Sequence, residues 1–287
     1  MRESRYHGPL AHPTDTRERS NRLTPRVRLL SDDRQAPVMS AGESLYVGVD
    51  WADGAWMAVA FDASGFESAA VFPEVGDLWA RYEERAERVL VGVPVGLPES
   101  GGEGRECDLL AREVLGPRSG AVVTPPVREA TRKRRYPAAK RVNERKTGHA
   151  LSKQAFAISD GIAAVDELLQ NVPEARAAFV ESHPEVCFRA FAGEPLEHSK
   201  RHAAGYAERM RTLAGHDRDA PPAVQAAAEA TEGHEVTVDD ILDAMALAYT
   251  ARPGRGELRS LPPDPPTDPE GLPMRMVYRS ETPLVAD

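Results

Sequence analysis

Leu45-Tyr46-Val47-Gly48-Val49-Asp50-Trp51-Ala52 is an apolar run that ends on a carboxylate, and Ala55-Trp56-Met57-Ala58-Val59-Ala60-Phe61 follows after only Asp53-Gly54. Two such runs joined by Asp-Gly are a strong hairpin signal, because the tight turn needs φ above zero and these two residues tolerate it. Their nearly continuous apolar character predicts strands covered on both faces. Asp50 then stands at the tip of a buried strand, where the core meets solvent. A carboxylate there is placed either to hold a hard cation or to cap the turn through nearby backbone.

Working outward, Gly65 to Phe72 predicts a third strand and so a meander. Glu74 to Arg88 carries Val75, Leu78, Trp79, Tyr82 and Ala86 at helical spacing, and Arg88 to Val93 returns to strand with Pro94 closing it. A helical crossover makes the flanking strands parallel and brings their C-terminal ends to one sheet edge. Asp50 and the Gly92-Val93-Pro94 turn are therefore expected to be neighbours. Helices are expected over Arg105 to Leu115, Gly148 to Leu169, Arg201 to Leu213 and Ala223 to Thr231. Ala177 to Glu181 reads as a short strand ending on a second carboxylate. Thr237 to Tyr249 reads as a helix with Thr237 as N-cap and Asp240 three residues on, as in a capping box.

The composition bounds the class. A chain of 287 residues, 41% apolar with three Trp, buries one large core or two modest ones. A net charge of -9 and a pI near 5.5 argue against coating nucleic acid by bulk electrostatics. Only Cys107 and Cys187 are present, so no disulfide framework is implied and a cytoplasmic location is expected. No apolar run approaches the ~20 residues of a membrane span, and no membrane partner is expected. Residues 1–38 lack apolar periodicity and a signal-type apolar core, and are expected to be a disordered extension. The 39–252 stretch is expected to be one α/β domain with a helical insertion at about 99–175, and 253–287 a Pro-rich tail with an edge strand near Met274 to Tyr278.

One stretch has the opposite sign. Arg128, Arg132, Lys133, Arg134, Arg135, Lys140, Arg141, Arg145 and Lys146 are set against only Glu129 and Glu144, which reads either as a solvated face or as a patch for a phosphate backbone.

The acids carry the chemistry. Asp240 and Asp243, three apart on a helix, point the same way with Cβ atoms about 5–6 Å apart. Asp240 is explained as the capping acid. Asp243 lies among Ile241, Leu242, Ala244, Met245 and Leu247, where an unpaired carboxylate is costly, so it needs a cation, a donor or water. Asp50, Glu181, Asp240 and Asp243 together make an oxygen-rich set suited to Mg2+ or Mn2+ rather than Zn2+. Two such ions about 3.5–4 Å apart would activate a water and stabilise the leaving oxygen in phosphodiester hydrolysis.

The order of meander with a terminal Asp, helix, strand and a late helix bearing Asp-x-x-Asp-Ala resembles the RNase H-like superfamily. Asp240 to Ala248 is similar to the C-terminal helix of RuvC-type resolvases. More closely, Gly48-Val49-Asp50-Trp51-Ala52, Pro94-Val95-Gly96-Leu97-Pro98, Leu151-Ser152-Lys153-Gln154-Ala155-Phe156 and Glu181-Ser182-His183-Pro184-Glu185 resemble the domain of unknown function 429 family, predicted RNase H-like nucleases. The resemblance covers Tyr46 to Ala251. It implies an RNase H-like mixed sheet flanked by helices, with Asp50, Glu181 and Asp243 as metal ligands. The family usually carries an acid two residues before the Pro of the strand-end motif, and here that position is Gly92.

Arg105, read on the exposed side of its helix, joins Arg132, Arg134, Arg135, Lys153 and Gln154 as the expected substrate contacts. His183 is a candidate general base or a structural hydrogen-bonder. Ser152 and Cys187 lack an evident base partner, and no phosphate-binding or dinucleotide fingerprint is present. The expected activity is metal-dependent cleavage of nucleic-acid phosphodiesters. A non-catalytic nucleic-acid-binding protein and a hydrolase or phosphotransferase acting on a small phosphorylated substrate are the alternatives.

Overall fold

The computed structural model describes residues 43–102 and 104–285, so the expected extension over 1–38 lies outside the described residues. The hairpin forms as expected. β1 (Leu45–Ala52) pairs antiparallel with β2 (Ala55–Phe61), with Asp53 at φ 44° and Gly54 at φ 102° in the turn. β3 (Phe66–Phe72) completes the meander, and α1 (Val75–Tyr82) crosses to β4 (Ala86–Val91), which runs parallel to β1. β5 (Phe179–Glu181) adds parallel to β4, giving a five-stranded mixed sheet of order β3-β2-β1-β4-β5.

Between β4 and β5 the chain is helical: α2 (Glu106–Leu115), a 3-10 turn at Gly116–Ala121, α3 (Arg128–Thr131), α4 (Tyr136–Thr147), α5 (Lys153–Ala157), α6 (Ser159–Asn171) and α7 (Pro173–Ala178). The single helix expected from Gly148 is therefore shorter and split. Gly148, in the left-handed region at φ 78°, ends α4; Ser152 caps α5 by accepting from the Ala155 N–H at 3.0 Å; the chain breaks at Ile158. After β5 follow α8 (Pro184–Ala192), α9 (Ala203–His216), α10 (Ala220–Ala230) and α11 (Val238–Ala251). The Thr237–Asp240 capping box is present at the start of α11.

The tail holds more structure than its proline content indicates. β6 (Glu257–Leu261) and β7 (Met276–Ser280) form a two-stranded sheet, and β7 also meets the end of β5 through a parallel bridge between Val277 and Ser182, so the expected edge strand lies beside the β5 edge as well as pairing with β6. Prolines occupy the connection between the two strands, where no ladder N–H is needed. Leu261, Met276 and Tyr278 pack with Cys107, Leu115 and Val186 of α2 and α8, and the Ser182 hydroxyl donates to the Val277 carbonyl at 2.7 Å.

Strand alternation decides which side chains meet. Leu45, Val47 and Val49 face α1 and α6, burying Leu78, Trp79, Ile162 and Val165 with them. Tyr46, Gly48 and Asp50 face the other way, toward α11, where every residue from Ile241 to Ala251 is buried. Gly48 permits this contact, because a Cβ on it would lie 2.1 Å from the Ala244 carbonyl and 2.2 Å from the Ala248 nitrogen. The helix backbone thus lies directly on the strand, and the residue before Ala244 is brought to the tip of β1.

Candidate functional site

That residue is Asp243, and the tip carries Asp50. Both are buried, at 4% and 9% exposure, on the wall of a cavity of about 460 Å³ that Gly92, Glu181, Lys200 and Asp240 also line. Burial, with the Asp243 charge second, pushes the Asp50 carboxyl well above its ordinary value. Burial likewise holds Asp243 up at about 6, against the pull of Lys200. Lys200 Nζ donates to Asp243 Oδ2 at 2.5 Å and lies 3.7 Å from Asp239, while Asp243 Oδ1 is buried with no hydrogen-bond partner among the described residues. The Lys200 ammonium itself is held above its ordinary value by Asp243 and Asp50, which outweigh its own burial.

Asp240 reaches the same cavity, but its carboxylate is engaged as the cap, accepting from the Thr237 N–H and hydroxyl at 2.7 Å each. Glu181 is engaged elsewhere. It accepts from Arg105 Nη1 at 2.6 Å and Nη2 at 2.8 Å, and from the Val95 N–H at 2.7 Å. The reason is alternation: Glu181 is in register with Val91, which is in register with Val49, so it shares the face opposite to Asp50. Burial pushes the Glu181 carboxyl up to about 7, opposed by Arg105.

Arg105 is therefore a correction to the expected exposed contact. It is 1% exposed, also pairs with Asp108 at 2.6 Å, and donates to the Val95 carbonyl at 2.9 Å. Two buried acids on neighbouring elements draw the guanidinium inward, and it fastens the loop after β4 to β5.

Five of the nine basic residues of the run pair with acids of this same chain, and Arg134, Arg135, Lys140 and Arg141 have no acidic partner among the described residues. Arg128 contacts Asp268 and Asp166, Arg132 reaches Asp166 at 2.8 Å, and Lys133, Arg145 and Lys146 all surround Glu129 at 3.3–3.6 Å. Arg132, Arg134, Arg135 and Lys153 do not line the carboxylate cavity. Gln154 does, and so do Arg118 and Arg201.

His183 is the N-cap of α8, its Nδ1 accepting from the Glu185 N–H at 3.2 Å, and burial holds its imidazole below the ordinary value. Glu185 is held by Arg209, with Arg118 at 3.4 Å. Glu185, the neighbouring acid that the sequence offers as a replacement for one absent at Gly92, lines the cavity, and Lys200 belongs to the site without having been singled out from the sequence. Lys200 sits in a turn with no periodic pattern to mark it.

Among the described residues, no group of three or more His, Cys, Asp or Glu side chains converges as a ready metal cage. The donor set nevertheless fits one hard cation: two carboxylates side by side, one with an orphaned buried oxygen, next to a bound ammonium. Mg2+ is commonly held by one or two carboxylates with water and substrate phosphate completing the shell. A second ion would need Glu181, which Arg105 occupies.

Fold and site together define a mixed α/β protein whose sheet edge presents a buried carboxylate pair balanced by a lysine. Residues 48–267 match the family model described as protein of unknown function (DUF429), and the chain belongs to that family. Comparison with curated proteins finds no match, and comparison with solved structures finds none either.

Proposed function

We propose that the chain is an RNase H-like, metal-dependent hydrolase of nucleic-acid phosphodiesters, working with one Mg2+ or Mn2+ ion held by Asp50 and Asp243. The observation that carries this reading is the meeting of those two carboxylates in an open cavity, with Asp243 Oδ1 buried and unpartnered. The order of the sheet, with Asp50 on its central strand and Asp243 on the helix laid across it, supports the RNase H-like assignment. A divalent ion there supplies Lewis-acid polarisation of a phosphoryl oxygen and lowers the pKa of an attacking water. Lys200, Arg118 and Arg201 contribute positive charge toward an anionic substrate, and the Arg105–Glu181 pair keeps the loop that walls the cavity in place.

The distance of the basic run from the carboxylate cavity, with five of its nine members paired to acids of the chain, favours a second reading, in which the phosphoester belongs to a small molecule rather than to a polymer. One experiment separates them. Purified protein is incubated with single-stranded, duplex and branched DNA, with RNA and with bis(p-nitrophenyl) phosphate, in Mg2+ or Mn2+, beside Asp50→Asn. Cleavage of polymer that needs metal and is lost in Asp50→Asn supports the nuclease. Cleavage of the small ester alone supports the second reading. Binding of nucleic acid without cleavage by either protein refutes hydrolysis and leaves a binding module.

A further inference from the structure

A separate cavity, of about 350 Å³, is bordered by Arg189, Phe191, His216, Arg255, Arg279 and Glu281 among others, and shares no lining residue with the carboxylate cavity. The two lie at opposite ends of α8, whose His183 cap and Glu185 line the first while Arg189 and Phe191 line the second.

Among the described residues, Arg189, Arg255 and Arg279 have no carboxylate partner, unlike Arg105, Arg128 and Arg209. Arg279 is 7% exposed; its Nε donates to the Thr250 carbonyl at 3.1 Å and its Nη1 to the Gly256 carbonyl at 3.2 Å, leaving Nη2 unused. Arg189 Nε is buried with no partner at all among the described residues.

Helix ends explain part of this. Arg189 stands in the last turn of α8, His216 ends α9, and Arg279 contacts a carbonyl near the end of α11, all positions that favour cations. That account supplies no acceptor for Arg189 Nε and does not reach Arg255, which lies outside any helix. Buried donors left without acceptors are costly, and a lining of three arginines against the one exposed carboxylate of Glu281 leaves the cavity with a surplus of positive charge. Burial holds the His216 imidazole below its ordinary value, opposed by Asp217 and reinforced by Arg255 and Arg279.

We propose that this cavity is an oxyanion site for a phosphate group, in which Arg279 is the buried donor and Arg189 and Arg255 close around the ligand. The Phe191 and His216 rings, tilted by 31° with centroids 4.2 Å apart, form the wall against which an organic group on that phosphate would lie. The volume falls at the small end of the ordinary range for small-molecule sites.

The test is calorimetric titration of the full chain with inorganic phosphate and, separately, with adenosine monophosphate, in EDTA. Arg255→Gln, at an exposed position, and Arg189→Gln should each weaken phosphate about tenfold or more, as expected for loss of a charge-assisted hydrogen bond. Arg81→Gln, exposed on α1 and lining neither cavity, should leave the affinity unchanged, and Lys200→Gln, in the carboxylate cavity, reports whether phosphate is held there instead. Circular dichroism of each variant confirms that it is folded. Tighter binding of the nucleotide than of phosphate places its organic part on the Phe191–His216 wall, and equal binding leaves phosphate as the recognised group. The proposal is overturned if both Arg variants bind like the wild type, if Lys200→Gln abolishes binding, or if no heat is seen up to about 10 mM phosphate.

Discussion

Glu181→Gln distinguishes a structural clasp from a metal ligand. The carboxylate is 2% exposed and takes three short hydrogen bonds, at 2.6 and 2.8 Å from Arg105 and at 2.7 Å from the Val95 N–H. Gln keeps the shape but loses the charge, and one of its two terminal atoms becomes a donor facing a guanidinium. Removing one partner of a buried ion pair costs about 3–5 kcal/mol. Asp108 remains on Arg105 at 2.6 Å, which places the cost near the lower end, about 3 kcal/mol. At roughly 2–4 °C per kcal/mol for a domain of this size, Tm should fall by about 6–12 °C. Differential scanning calorimetry with and without Mg2+ reads both roles at once. The melting point should drop while any increment on adding Mg2+ stays the same. An unchanged melting point together with a lost Mg2+ increment would refute the clasp and make Glu181 a ligand.

The remaining predictions concern the carboxylate pair. A Cβ on Gly92 would stand 2.6 Å from Asp50 Oδ1, so Gly92→Ala must push that carboxylate aside by about 0.8–1.4 Å to reach ordinary contact. Because the obstacle is a side-chain tip, metal-dependent activity should fall at least tenfold while Tm changes by only about 2–4 °C, and full activity in this variant would show that the position of Asp50 is immaterial. The same contact leaves no room for a larger side chain at this position unless Asp50 moves. The raised pKa of Asp243, about 6 against 3.8 unfolded, means that folding takes up protons between those values. Its contribution to stability is therefore full below about 3.8 and lost as pH rises through about 6. Denaturant midpoints in EDTA should fall more steeply across that window in the wild type than in Asp243→Asn, and equal slopes would contradict the assignment.

Local pattern sufficed for most of the elements. Asp-Gly between two apolar runs specified the β1–β2 hairpin, the crossover length made β4 parallel to β1, and Thr237 with Asp240 marked the start of α11. All three depend on interactions spanning a few residues or on a single connection. The same short-range logic placed Asp50 beside Gly92 and set Asp243 apart as a carboxylate lacking a local explanation. It missed the helix break at Ile158 and overlooked α8 and β6, where contacts with distant elements outweigh propensity.

The face on which each strand-tip acid lies was the part that tertiary structure alone decided. Asp50 and Glu181 look equivalent in the chain, each ending an apolar run. Register through Val49, Val91 and Glu181 turns them to opposite faces of the sheet, because side chains alternate every residue and a strand's register with its neighbours is invisible from its own sequence. Asp50 thereby meets Asp243 and Lys200, and Glu181 meets Arg105. The basic run was equally legible as charge and illegible as function. The acids that meet Arg128, Asp166 and Asp268, come from α6 and from the tail, and only folding brings acids so far apart in the chain to the same arginine.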